Sequence, residues 1–243
     1  MTPTNGTPSI ILIAGHWLGG WAWDEVRALL PAERFRVAAP TLAGLDGDDP
    51  DRSRATLDDQ LAGILDAIGH AGGSREHPVT LVAHSGANAP VTLALDRHPE
   101  LVRRIIWVDS GPVAPGTAFA PDAPEDLAEL PLPPFDALGA QASLAGLDAN
   151  MLARFRARAV PEPGPVLRQS VDLSNDARLA VPTTLVCCSI SSAQVRELAD
   201  AGHPMFAEVA RLAHLETVDL PTGHWPMWSR PGDLAAIIAS AVS

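Results

Sequence analysis

The 243 residues carry a formal net charge of −12, with 47% hydrophobic and 19% charged residues. That is enough chain for one large domain or a domain with an insertion, and ordinary content for a folded globular protein. The acidic balance, with arginines scattered and no lysine or tyrosine, disfavours nucleic acid and removes phosphate-loop lysines, pyridoxal Schiff bases and tyrosine acid–base chemistry.

Cys187 and Cys188 are neighbours in sequence, so they form no disulfide framework or zinc ligand set, and no metal or cofactor is expected. Nothing approaches a membrane span. The early apolar run, Ile10 to Ala14, is too short for a signal-peptide core and lacks a basic flank. We therefore expect a cytoplasmic protein without membrane partners, and oligomeric state, including a homodimer, stays open.

After a loose lead-in over residues 1–8, Ser9 to Ala14 reads as a fully apolar strand, the pattern of a parallel sheet covered on both faces. A glycine-rich turn follows, Gly15-His16-Trp17-Leu18-Gly19-Gly20, and then a helix over Asp24 to Leu30. A dinucleotide fingerprint does not fit this turn. His16 and Trp17 are bulky where a pyrophosphate needs the backbone, and the next strand, Phe35 to Ala39, ends in proline instead of an acid. The pattern of Leu57, Leu61, Ile64, Leu65 and Ile68 predicts a helix over Thr56 to Ala71, with Thr56 as N-cap and Gly72-Gly73 as the stop.

The five residues after Pro78, Val79 to Ala83, read as a buried strand that turns into a helical pattern with Ser85 at the corner. Small residues bracket that serine in Ala83-His84-Ser85-Gly86-Ala87, as a sharp strand-to-helix corner requires. Another apolar strand, Val102 to Val108, ends at Asp109-Ser110-Gly111. Prolines at 112, 115, 121, 124, 131, 133 and 134 then forbid long regular elements. Only Asp148 to Ala159 reads as helix before Pro161, Pro163 and Pro165. We read residues 112–180 as a cap inserted into a core of residues 1–111 and 181–243. The core resumes with a strand over Thr183 to Ser189, one or two helices over Ser192 to Leu212 broken at Gly202 and Pro204, a strand over Leu215 to Leu220, and a closing helix over Pro231 to Val242.

Alternating strands and helices predict an α/β fold with a mostly parallel, doubly wound sheet, whose ligands gather beyond the carboxyl ends of the strands. His16, Ser85, Asp109 and His224 all fall at such ends. The order Ser85, Asp109, His224 is that of a nucleophile, an acid and a base. With Ala14-Gly15-His16-Trp17, the corner at Ser85 and Gly223-His224-Trp225, the chain resembles the α/β-hydrolase family over nearly its whole length. The nearest group is that of small esterases, C–C hydrolases and hydroxynitrile lyases.

The resemblance implies Ser85 as nucleophile, His224 as base, and the N–H groups of Gly86 and His16, with Trp17 as a further donor, as oxyanion hole. The family usually places its acid after the penultimate strand, where Cys188 to Ser192 offer none. Asp109 is the alternative, against a reading of it as a turn former. Trp17, Trp225, His16, Phe119 and Phe135 are expected to line a pocket for a small hydrophobic or aromatic acyl substrate. His84 is read as packing. The main expectation is a serine hydrolase of an ester, thioester or lactone. A lyase or C–C hydrolase on the same fold and a non-catalytic ligand-binding protein are the alternatives.

Overall fold

The computed structural model describes residues 6–242, so most of the expected lead-in lies outside the described residues. In chain order the elements are β1 Ser9–Ile13, α1 Asp24–Leu29, β2 Arg36–Ala38, α2 Leu57–His70, β3 Val79–His84, α3 Asn88–Arg97 and β4 Val102–Val108. Then come β5 Glu129–Leu130, α4 Phe135–Gly139, α5 Ala149–Arg158, β6 Glu162–Pro163 and α6 Gly164–Arg168. The last are β7 Thr183–Cys187, α7 Ser192–Asp200, β8 Leu215–Asp219, α8 Pro226–Ser229 and α9 Pro231–Val242.

Six strands form one parallel sheet in the order β2-β1-β3-β4-β7-β8. Side chains alternate across it with the period of two that a strand imposes. Ile10, Leu12, Val82, Ile106, Val108 and Val186 pack on one face with Val26 of α1 and Leu234 and Ile238 of α9. Ile11, Ile13, Leu81, Ala83, Ile105, Trp107 and Leu185 pack on the other with Ile64 of α2, Val91 of α3 and Val195 of α7. This two-sided burial is why β1 and β3 read as unbroken apolar runs, whereas the edge strand β8 is only half-buried.

Helix α2 begins as the sequence predicts. Thr56 Oγ1 accepts the Asp59 N–H at 3.2 Å while Asp59 Oδ2 accepts the Thr56 N–H at 2.9 Å, a reciprocal cap worth about 1 kcal/mol. Of the one or two helices expected over Ser192 to Leu212, one forms, and past α7 the chain makes two short 3-10 turns, Pro204–Phe206 and Val209–Arg211. Gly202 turns the chain at φ +71 and Pro204 cannot continue a helix.

Between β4 and β7 the chain crosses over the carboxyl ends of the strands. β5 and β6 pair as a two-residue antiparallel ribbon, and Phe155 of α5 is fully buried with Trp228 and Trp225. The return to the core is held by charge. Arg178 is buried against Glu208 at 2.8 Å, and buried Asp96 accepts the N–H groups of Ser174 and Asn175 at 2.9 and 2.8 Å.

Candidate active site

Strand β3 ends in a 3-10 turn, Ser85–Ala87, that leads directly into α3. At the corner Ser85 has φ +51, a left-handed conformation that costs a non-glycine residue about 1–3 kcal/mol. Close packing requires the small neighbours. A Cβ on Gly15 would stand 2.7 Å from the Ser85 Cβ and 2.9 Å from the Gly86 nitrogen, so the first turn lies directly on the corner. Ser110 Oγ donates to the Ser85 carbonyl at 2.9 Å and steadies it.

His224 sits in the loop after β8, and both its backbone polar groups are held. Its N–H donates to the Ser143 carbonyl at 2.7 Å, and its carbonyl accepts His84 Nε2–H at 2.7 Å. Gly223 allows this approach, because a Cβ there would stand 2.6 Å from the Ser143 oxygen and collide with that of Ala145. The imidazole then bridges two residues far away in sequence: Nε2 lies 2.8 Å from Ser85 Oγ and Nδ1 lies 2.6 Å from Asp109 Oδ2.

Asp109 follows β4 with φ +45. Its Oδ1 accepts the N–H groups of Cys188 and Ser189 at 3.1 and 2.8 Å, and its Oδ2 also accepts Ser189 Oγ–H at 2.6 Å. Burial pushes this carboxyl up. The hydrogen bond and charge of His224 and the two bonds from Ser189 outweigh it, so the net shift is downward and Asp109 is an anion. The position after β7, where no carboxylate stands, therefore supplies donors to an acid that arrives from β4. These donors, and Ser110, were missed in the sequence because serines in turns carry no signal of partners so far away.

His84 packs under the site as expected, fully buried, its ring centroid 4.8 Å from that of His224. Burial and the neighbouring His224 push its pKa down to about 3, so it is a neutral donor and adds no charge beside the base. Cys187 and Cys188 are free and buried, and burial pushes the Cys187 thiol up to about 11 and that of Cys188 higher still.

A cavity of about 700 Å³ opens above this row, lined by Ser85, Asp109 and His224, by His16, Trp17, Phe119 and Trp225, and by apolar side chains including Leu138, Met205, Phe206 and Val209. Gly86 is the second residue of its 3-10 turn, so its N–H has no carbonyl one turn behind it to bond, and the His16 ring lies over its Cα.

Two expectations need correction. The Trp17 N–H donates to Glu162 Oε2 at 3.1 Å and is thereby taken up; Trp17 still borders the cavity, and its Nε1–H donates to the Leu130 carbonyl at 3.0 Å. Phe135 is drawn off by its own neighbours, packing 5.8 Å from the Phe155 ring with the Arg156 guanidinium 4.5 Å above it, and does not line the cavity. Glu162 was not foreseen at all. Among the described residues no three His, Cys, Asp or Glu side chains are grouped to hold a metal, and no helix is long and apolar enough to cross a membrane.

The parallel sheet, the strand-to-helix corner and the Ser85–His224–Asp109 row define the architecture of a hydrolase-type α/β protein. Residues 10–237 match the alpha/beta hydrolase family, and the chain belongs to it. It is 27% identical over 247 residues to a pyrethroid hydrolase of Sphingobium wenxiniae, covering 95% of this chain and 86% of that protein. It is likewise 27% identical over 257 residues to a carbendazim hydrolyzing esterase of a Nocardioides species, covering 96% and 98%. The similarity to methylesterase 17 of Arabidopsis thaliana, 24% identity over 132 residues, spans 54% of this chain and only 47% of that protein. In fold, an extracellular alpha/beta-hydrolase from a Paenibacillus species superposes with a TM-score of 0.74 at 18% identity, covering 97% of this chain and 99% of that one.

Proposed function

We propose that the protein is a carboxylic ester hydrolase acting through a serine nucleophile on esters of small hydrophobic molecules. The observation that carries this is the unbroken row from Ser85 Oγ through the His224 ring to Asp109, at 2.8 and 2.6 Å, beneath a mostly apolar cavity. In this reading His224 Nε2 takes the Ser85 proton as Oγ attacks the ester carbonyl. Asp109 keeps the other ring proton on Nδ1 and stabilises the imidazolium. The N–H groups of Gly86 and His16 receive the developing oxyanion, each contributing about 2.7–4 kcal/mol to transition-state stabilisation. His224 then protonates the departing alcohol, and a water deprotonated by the same nitrogen releases the acid from Ser85. The relatives named as esterases and hydrolases support the reaction class.

A fluorophosphonate probe should label Ser85 in the folded protein, and Ser85→Ala should abolish both labelling and p-nitrophenyl ester turnover. Folded protein that resists the probe would overturn the reading. Cleavage of a cyanohydrin or diketone without ester turnover would replace it with the lyase or C–C hydrolase alternative.

A further inference from the structure

The wall of the cavity facing the first turn carries a second imidazole paired with a carboxylate. His16 Nδ1 lies 3.1 Å from Glu162 Oε2, and the Glu162 side chain is almost wholly buried, at 2% exposure. The same oxygen accepts the Trp17 N–H at 3.1 Å, which fixes the carboxylate in place. Glu162 belongs to β6, in the segment crossing over the sheet, so this contact ties that segment to the turn after β1.

A carboxylate facing Nδ1 keeps a proton on that nitrogen and leaves the lone pair on Nε2. The Nε2–Cδ2 edge of the ring lies directly over Gly86, beside the N–H assigned to the oxyanion. The Phe119 ring, 4.2 Å away and edge-on, holds the imidazole from the outer side. A side cavity of about 220 Å³ adjoins here, and its largely apolar lining includes Asn88, Thr117 and Gln169 beside His16.

We propose that His16 is a specificity-determining residue, with Glu162 as its positioning residue: Nε2 accepts a hydrogen bond from a hydroxyl or N–H on the atom next to the scissile carbonyl. The favoured substrates are then α-hydroxy esters and esters with a comparable donor, over analogues carrying only hydrogen. This rests on the ester-hydrolase reading above. A buried acceptor left without its donor discriminates against the plain analogue, whereas an apolar wall does not.

The test compares kcat/KM for methyl mandelate and methyl phenylacetate, which differ by that one hydroxyl, in the full-length protein and its variants. Rates are normalised to the fraction of Ser85 that a fluorophosphonate probe labels. His16→Phe should lower the mandelate-to-phenylacetate ratio by about 10-fold or more. His16→Gln, which places an amide oxygen near the Nε2 position, should recover a large part of it. Glu162→Gln, which still accepts the Trp17 N–H but has no charge to hold the tautomer, should fall in between. The difference between the two esters cancels any general damage to the site, and Glu162→Gln decides the matter if His16→Phe fails to fold. A ratio within twofold of wild type in His16→Phe, or in Glu162→Gln should His16→Phe not fold, would overturn the assignment of His16 while leaving the hydrolase reading intact. An unmodified protein that neither hydrolyses the esters nor takes the probe would overturn both.

Discussion

His84 makes the fold sensitive to acid well above the range where carboxylates titrate. The ring is fully buried, donates Nε2–H to the His224 carbonyl at 2.7 Å, and leaves Nδ1 without a partner among the described residues. Burial, reinforced by His224, moves its pKa from 6.5 down to about 3 in the folded protein. Between those values the unfolded chain binds the proton and the folded one does not. The stability is therefore complete above about pH 6.5 and declines as the pH falls toward 3. At 1.36 kcal/mol per pH unit, the loss is about 2 kcal/mol by pH 5 and about 5 kcal/mol over the whole window. Asp109 acts lower, because its depressed pKa withdraws stability only once the pH drops through the ordinary carboxylate range and below. Gln at position 84 keeps an N–H for the His224 carbonyl and does not titrate. Urea unfolding at pH 7.5 and pH 5.0 should then show wild type losing about 2 kcal/mol more than His84→Gln. Parallel losses in the two proteins would refute the assignment of a neutral, buried His84.

Other outcomes follow from the same contacts. Asp109→Asn should cut kcat by about 10⁴-fold by stabilising the wrong His224 tautomer, and should slow Ser85 labelling as well. Ser189→Ala removes one hydrogen bond to that carboxylate and should cost about 10-fold in the rate of Ser85 labelling. Gly223→Ala forces a methyl into the carbonyls of Ser143 and Ala145; a loss of about 1–3 kcal/mol, seen as a lowered Tm, is expected. Cys187 and Cys188, buried and with raised pKa values, should resist iodoacetamide at pH 8 in the native protein and react in urea, as read by mass spectrometry. Rapid native alkylation would contradict their burial.

How much was legible depended on how local the cause is. The strands β1 and β3 announce themselves because both faces are buried, and Ser85 and His224 stand out because small residues or a Gly-His pair at strand ends have local reasons to be there. Glu162 had no such cue. It lies between Pro161 and Pro163, in a ribbon only two residues long on each side, so there is no periodicity to read, and its partner Trp17 is 145 residues distant. Phe135 failed for the converse reason. An aromatic residue in a proline-broken stretch has no local preference for the cavity over the apolar cluster beside it, and Phe155 with Arg156 decides. Asp109 could be chosen because Cys188 to Ser192 hold no carboxylate, but that Cys188 and Ser189 there present donors to it is a long-range fact the sequence does not carry.

These unforeseen residues have a common role. Among the described residues the non-glycine positions with positive φ are Trp17, Ser85 and Asp109, at the ends of β1, β3 and β4. Each costs about 1–3 kcal/mol in isolation, and such a conformation persists only where the surroundings over-determine it. Each has a restraint from another part of the chain: Glu162 accepts from the Trp17 backbone, Ser110 donates to the Ser85 carbonyl, and the Cys188 and Ser189 N–H groups hold the Asp109 carboxylate. Hydrogen bonds to ionised groups contribute about 1.5–3 kcal/mol, enough to offset the strain at Trp17 and Asp109. The sequence thus reveals where the strained corners stand, since the strands that end there are written locally. The groups that keep those corners strained come from elsewhere in the chain, and only folding brings them together.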